Sequence, residues 1–305
     1  MCIRDRDSNV IDFVNFASFG NASDFGDLSS AQIYNNGVGG KVRAFNMGGN
    51  NYPGNTSQID FVTIATTGNG ADFGDLTFTD HNNYAGGSCE NKIKALVGGG
   101  TPVTNTISFI TQATAGNSSD FGDLTTAIRE NNSGATSNNH SGITDENMIQ
   151  RPSVTYMPGS GRGFTNAGTT TGGSGGSINT IEMIFVPTLG NALDFGDLTL
   201  ARQLPGSTNS VTRSCVAGGE TPSAQTNTID SYEMQSLGNA SDFGDLTVTR
   251  RSFPGGGTNG ARGTFNGGNT PSVSDVIDYI TIASVGNATD FGNLTEARDA
   301  PATLS

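Results

Sequence analysis

The stretch GNASDFGDL, residues 20–28, decides the fold, because near copies of it recur along the whole chain. Four of the five intervals between successive copies are 48 residues long and the remaining one is 74. The copies begin at Gly20, Gly68, Gly116, Gly190, Gly238 and Gly286. A fixed period of this length is typical of propellers and solenoids. We call each copy the motif and expect one structural unit per copy.

A strand-like stretch precedes every motif and opens on an isoleucine nine residues before the motif glycine. The stretch IDFVTIAT, residues 59–66, is one example, and its apolar residues fall on both faces of a strand. Such a strand must be covered on both sides. A second strand ending in glycines lies upstream, as in KALVGGG at residues 94–100, and Leu-Thr followed by a Pro/Gly-rich strand lies downstream. Four short strands per unit match one propeller blade, and no helical periodicity is present.

The order of these strands resembles the kelch repeat. Kelch blades usually carry a tryptophan before the last strand, whereas this chain has none and places one phenylalanine per motif there: Phe25, Phe73, Phe121, Phe195, Phe243 and Phe291. The arginine that follows is present at Arg202, Arg250 and Arg298. The DFGDLT-type array is also similar to structural, tail-fibre-like repeat proteins of marine phages, particularly those of cyanobacteria. This resemblance covers residues 9–298 and implies fold more than function.

The sequence therefore predicts an all-β fold, a kelch-like β-propeller of four-stranded antiparallel blades. We expect one domain over residues 7–305, with five complete blades over 30–294 and two strands of a sixth over 9–28. The ring is then either unclosed or closed by residues beyond Ser305, as in a sequence truncated at both ends. The opening MCIRDR, residues 1–6, is interpreted as an assembly scar that is not native. A β-solenoid with strands running in one direction is the alternative.

The motif itself is interpreted as structural. Gly20 and Gly26 are expected to adopt positive φ, and Asn21 and Asp24 to bond backbone groups of their own turn. Phe25, together with the leucine that ends the motif, anchors the turn in the core.

Three chemical readings compete with that interpretation. Asp-Phe-Gly occurs in protein kinases, but the other kinase motifs are absent. Calcium could bind Asp24 with Asp27, although the last copy has Asn293 at the second position. A copper site of the galactose-oxidase type would need imidazole, and the only histidines are His81 and His140, in polar loops of different repeats. We therefore predict no catalytic residue, no bound metal and no cofactor.

The amino-acid composition limits the classes of binding partner and the cellular location that we expect. The net charge is −13, which disfavours a nucleic-acid partner. Neither a signal peptide nor a run of about 20 apolar residues, the length of a membrane helix, is visible. Cys89 and Cys215 form no metal-binding spacing and are expected to fill space. Location in a virion or outside the cell is the expectation, and the oligomeric state stays open.

The long interval carries 26 extra residues, which we place in a loop insertion at about 129–153. It is expected to project from the propeller face opposite the motif turns. Insertions in repeat proteins often bind partners, and polar loop tips also tolerate neutral insertions. The candidate partner-binding residues are Asn138, His140, Asp145 and Glu146.

Three functions remain. The first is a non-enzymatic structural and binding module of a phage particle that contacts a host surface glycan or protein through its loops. The second is a secreted or surface adhesion propeller of a bacterium. The third is a propeller enzyme.

Overall fold

A computed structural model describes most of the chain. The described residues are 8–15, 20–32, 35–40, 42–51, 54–77, 88–91, 93–100, 103–128, 134–137, 161–171, 174–251 and 255–299. They form antiparallel sheets, together with one short 3-10 turn at Ser174–Gly176.

Five four-stranded sheets stand in a ring, each built from four consecutive strands that we call a, b, c and d. Blade 1 contains β3 (Asn36–Gly39), β4 (Arg43–Asn50), β5 (Asn55–Thr63) and β6 (Ala71–Asp75). Blade 2 contains β7 (Ser88–Glu90), β8 (Lys94–Gly98), β9 (Thr104–Thr111) and β10 (Ser119–Ile128). Blade 3 contains β11 (Gly134–Ser137), β12 (Arg162–Thr169), β13 (Ser177–Phe185) and β14 (Leu193–Asp197). Blade 4 contains β15 (Gly206–Asn209), β16 (Arg213–Ala217), β17 (Thr228–Glu233) and β18 (Ser241–Asp245). Blade 5 contains β19 (Gly255–Thr258), β20 (Arg262–Asn266), β21 (Ser274–Thr281) and β22 (Thr289–Arg298).

The prediction of an all-β propeller with five complete blades is confirmed. Neighbouring strands within each sheet run antiparallel, which rejects the solenoid alternative. All c–d pairs share one register, in which the strand-c isoleucine lies opposite the second glycine of the motif, as Ile59 lies opposite Gly74. A shift in register follows directly, so a bulge bends strand d at the same point in each unit.

The hydrophobic core lies between successive blades. In blade 1, Phe45, Ile59 and Phe73 are buried and pack against Val97 and Ile110 of blade 2. Equivalent clusters join blade 2 to blade 3, blade 3 to blade 4 and blade 4 to blade 5. The two apolar faces of each strand c are therefore covered by neighbouring sheets, as the sequence predicts.

A separate two-stranded sheet is formed by β1 (Ser8–Phe13) and β2 (Ser23–Gln32). Its register matches the c–d pairs, because Ile11 lies opposite Gly26. Strand β2 contacts β6 of blade 1 on one side and β22 of blade 5 on the other, so the outer wall of the ring closes through this sheet. A complete sixth blade is not found in the described part of the chain.

The position of the insertion differs from the prediction. Residues 134–137, inside the predicted range of 129–153, form β11, which is strand a of blade 3. The extra residues therefore lie mainly between β11 and β12, in the a–b connection. In an antiparallel sheet the a–b and c–d connections leave from the same end. The end of β11 and the start of β12, which flank the extra residues, consequently lie at the face that carries the motif turns and not at the opposite face, because strand a begins earlier than its small residues suggested.

Candidate functional site

The residues of the motif form the contact between one blade and the next. The backbone N–H of Gly68 donates to the carbonyl of Phe25 at 2.9 Å, and that of Gly70 donates to the carbonyl of Asp27 at 2.7 Å. The same two bonds recur at the next junction, from Gly116 to Phe73 at 2.8 Å and from Ser118 to Asp75 at 2.9 Å. We call this arrangement the clasp, since the turn before one strand d lies along strand d of the preceding sheet.

The motif asparagine bonds the neighbouring sheet and not its own turn, which corrects the prediction for Asn21. Asn69 Oδ1 accepts from the backbone N–H of Asp27 at 3.1 Å. Asn21 itself accepts from the backbone N–H of Asn293 at 3.3 Å and so joins blade 5 to the two-stranded sheet. The other four junctions use Asn117, Asn191, Asn239 and Asn287 in the same way.

Close approach of the two backbones explains the second motif glycine. Gly26 has a φ of 152°, and a Cβ built on it would lie 2.4 Å from the carbonyl oxygen of Gly68. Any side chain there would push the two sheets apart. Gly20, with a φ of 153°, meets no atom within 4 Å of such a Cβ. The predicted positive φ is found at both glycines, but only the second is also required by packing.

The motif phenylalanines lie in the core, as predicted, at five positions: Phe73, Phe121, Phe195, Phe243 and Phe291. Phe25 is only half-buried, because no strand b covers it among the described residues of the two-stranded sheet. Asp24 is exposed. Among the described residues, no group of three or more His, Cys, Asp or Glu side chains is arranged to hold a metal ion.

A buried carboxylate on strand c completes most junctions. Asp230 and Asp278 are fully buried, one residue after the strand-c isoleucine. Asp230 accepts from the hydroxyl of Thr199 at 2.6 Å and from its backbone N–H at 3.1 Å. The threonine belongs to the Leu-Thr that ends the preceding motif. Similar hydrogen bonds from a serine or threonine of the preceding motif are accepted by Asp60, Glu182 and Asp12.

Two of these carboxylates also bind a buried arginine from the preceding blade. Arg202 Nη2 lies 2.9 Å from Asp230 and Arg250 Nη2 lies 2.6 Å from Asp278, with all four side chains fully buried. Both guanidinium groups also donate to backbone carbonyls in strand b, just after it and in strand c, which for Arg202 are those of Val216, Gly218 and Thr228. Burial lowers the pKa of both arginines, and the paired carboxylate opposes that shift.

Repeats without the arginine use other contacts. Gln32 is buried and accepts from the Asn46 side chain at 2.9 Å. Ile128 packs in the core between blades 2 and 3. Aligning the repeats by the motif places Gln32 and Ile128 at the position of the arginine, but does not show the carboxylate that the arginine binds. A charged residue in an otherwise apolar strand was the available signal.

The two described cysteines are buried in the core, as expected. Cys89 and Cys215 are both free thiols, and burial raises the pKa of each to about 12. They are therefore protonated at neutral pH and poor nucleophiles.

Exposed apolar side chains mark the end of the propeller with the a–b and c–d connections, which we call the turn face. In blade 3, Phe185 is 49% exposed, and Leu189 and Leu193 are each 61% exposed. The last residue of the long a–b connection, Gly161, accepts a backbone bond from Val186 at 2.7 Å, so this connection ends beside the same turn. Leu237 and Val285 are exposed at the corresponding turns of blades 4 and 5.

The predicted partner-binding residues Asn138, His140, Asp145 and Glu146 lie outside the described residues, and so does His81. Among the described residues, no helix is long and apolar enough to cross a membrane. No protein-family model matches this sequence, and no curated protein is detectably similar to it.

Proposed function

We propose that this protein is a non-enzymatic binding and structural module that contacts its partner through the turn face. The observation that carries the proposal is the apolar surface of blade 3, where Phe185, Leu189 and Leu193 are exposed at the end of the long a–b connection. Exposed apolar patches on soluble proteins commonly mark interaction sites.

The use of the buried charged groups supports this assignment. Arg202, Arg250, Asp230 and Asp278 are each engaged in contacts that join one blade to the next. The repeat therefore serves as a rigid frame, and loops on a rigid frame are where binding residues concentrate.

The partner that we propose is a protein or glycan on the surface of a host cell, with the propeller carried on a phage particle. The phage particle is proposed only on the resemblance of the DFGDLT-type repeats to tail-fibre-like proteins of marine phages.

Binding of the fluorescently labelled protein to intact cyanobacterial cells and to a glycan array tests the proposal. Replacing residues 138–161 by the three-residue a–b connection of blade 4, residues 210–212, should abolish cell binding, as should Leu189→Ser combined with Leu193→Ser. Val103→Ser is the matched control, since Val103 is exposed in a b–c connection on the other face. Equal binding by the wild type and both turn-face variants would refute the proposal.

A further inference from the structure

In the part of the chain that the structure describes, the two-stranded sheet has one unpaired strand edge, whereas the equivalent edge is paired with strand b in every complete blade. In blades 1 to 5, strand c pairs with strand d on one side and with strand b on the other. Strand β1 occupies the place of strand c and pairs only with β2 among the described residues.

The inner layer of the ring is interrupted at the same place. Strands a of consecutive blades contact one another from β3 to β7, β11, β15 and β19. Among the described strands, β19 and β3 make no comparable contact, although the outer wall closes between them through β1 and β2. Between blade 5 and blade 1 the described strands therefore include β1 and β2 at the positions of strands c and d, but neither a strand a nor a strand b.

Arg298 is oriented toward this position. Its Nη1 donates to the carbonyl of Val10 at 2.8 Å, and its Nη2 lies 3.0 Å from Asp12. These are the equivalents of the bonds that Arg250 makes to Val276 and Asp278.

Arg250, however, also donates to two carbonyls at the end of strand b, those of Phe265 in β20 and of Gly267 just after it, at 3.4 and 2.9 Å. Among the described residues Arg298 has no such acceptors, and its Nη2 is buried without a hydrogen bond of good geometry. A strand b beside β1 would present both carbonyls to this guanidinium.

Apolar side chains surround the same edge. Phe13 is 46% exposed, and its ring lies edge-on to Phe25 with centroids 6.1 Å apart. The equivalent pair of blade 1, Phe61 and Phe73, is covered by Phe45 of strand b, whose ring centroid lies 5.0 Å from that of Phe73.

We propose that the inner edge of β1, the edge not paired with β2, is a binding site for a β-hairpin of the a–b type with this chain's own repeat sequence. The hairpin would add a strand b to β1 by main-chain pairing, as in β-strand addition, and its side chains would cover Phe13 and Phe25. The hairpin of blade 1, residues 36–49, fits best because its Phe45 covers the equivalent pair of rings, Phe61 and Phe73, in its own blade. This site is independent of the turn face and of any partner bound there.

A fusion tests the site directly. Residues 36–49 are appended after Ser305, and a second fusion carries the same residues in scrambled order. We expect the native-order hairpin to raise the apparent melting temperature by about 4 °C or more over the scrambled one. Hydrogen exchange at the amides of residues 9–13 should slow by at least about tenfold.

Arg298→Ala, made in both fusions, measures the coupling between the arginine and the hairpin. The gain in melting temperature should shrink in the variant, because the two strand-b carbonyls lose their donor. Unchanged exchange in β1 on adding the native-order hairpin would overturn the proposal. Protection of β1 in the unfused protein that grows with protein concentration would assign the edge to a second copy and would overturn it as well.

Discussion

Removing Arg250 should be among the most damaging single substitutions in this protein. Its guanidinium donates to the carbonyls of Gly267, Val276 and Phe265 and to Asp278, with both charged side chains fully buried. Arg250→Met leaves Asp278 as a buried carboxylate without its cation. Breaking a buried pair by removing one partner costs about 3–5 kcal/mol of unfolding free energy.

Urea-induced unfolding measures this cost, and a loss of that size moves the midpoint by about 1 M or more. Arg251→Met is the matched control: its neighbouring ion pair with Glu220 is partly exposed and should contribute less than about 1 kcal/mol. Adding Asp278→Asn to Arg250→Met should recover about 1–2 kcal/mol, because the amide keeps an acceptor for Thr247 and removes the unpaired charge. The reasoning is wrong if Arg250→Met costs no more than Arg251→Met, or if Asp278→Asn adds to the loss.

Two further predictions concern packing and titration. Gly74→Ala should destabilise the protein more than Gly116→Ala in the same unfolding assay, because a Cβ at Gly74 would lie 2.5 Å from the Gly116 backbone while one at Gly116 meets no atom within 4 Å; an equal cost at both positions would contradict the clasp. In a Cys2→Ser background at pH 8, Cys89 and Cys215 should react with a disulfide reagent only after unfolding. Burial raises the pKa of both thiols to about 12 in the folded protein, so that unfolding favours the thiolate once the pH exceeds the pKa of the unfolded chain. The free energy of unfolding should therefore keep the full contribution of the two buried thiols below that pKa and lose it as the pH rises above about 9. Rapid labelling of the native protein would refute this assignment.

The sequence predicts the frame well because each strand carries a local signal. The isoleucine of strand c, the glycines of strand b and the motif phenylalanine recur in register, so strand order and blade number follow from the period alone. The five-bladed arrangement and the burial of Phe73 and its equivalents agree with that prediction.

Contacts between repeats were harder to predict, because each contact joins residues of two different repeats and a single repeat contains only one of the partners. Asn69 carries the features of a turn residue, and only the ring geometry shows that it bonds Asp27 of the preceding sheet. Arg202 and Asp230 are likewise 28 residues apart and belong to different blades. The insertion was misplaced for a related reason: strand β11 is four residues of small side chains, which a sequence cannot distinguish from a loop.

Each junction joins two unlike surfaces, the turn of one unit and strand d of its neighbour, and every unit carries both. Such a head-to-tail contact can be repeated without limit, and only the angle between successive units decides whether a chain of them closes or continues as a spiral. Duplication or loss of one 48-residue unit would therefore create no new type of interface. Copy number can change in one genetic step, and the packing angle between sheets then selects the ring sizes that fold.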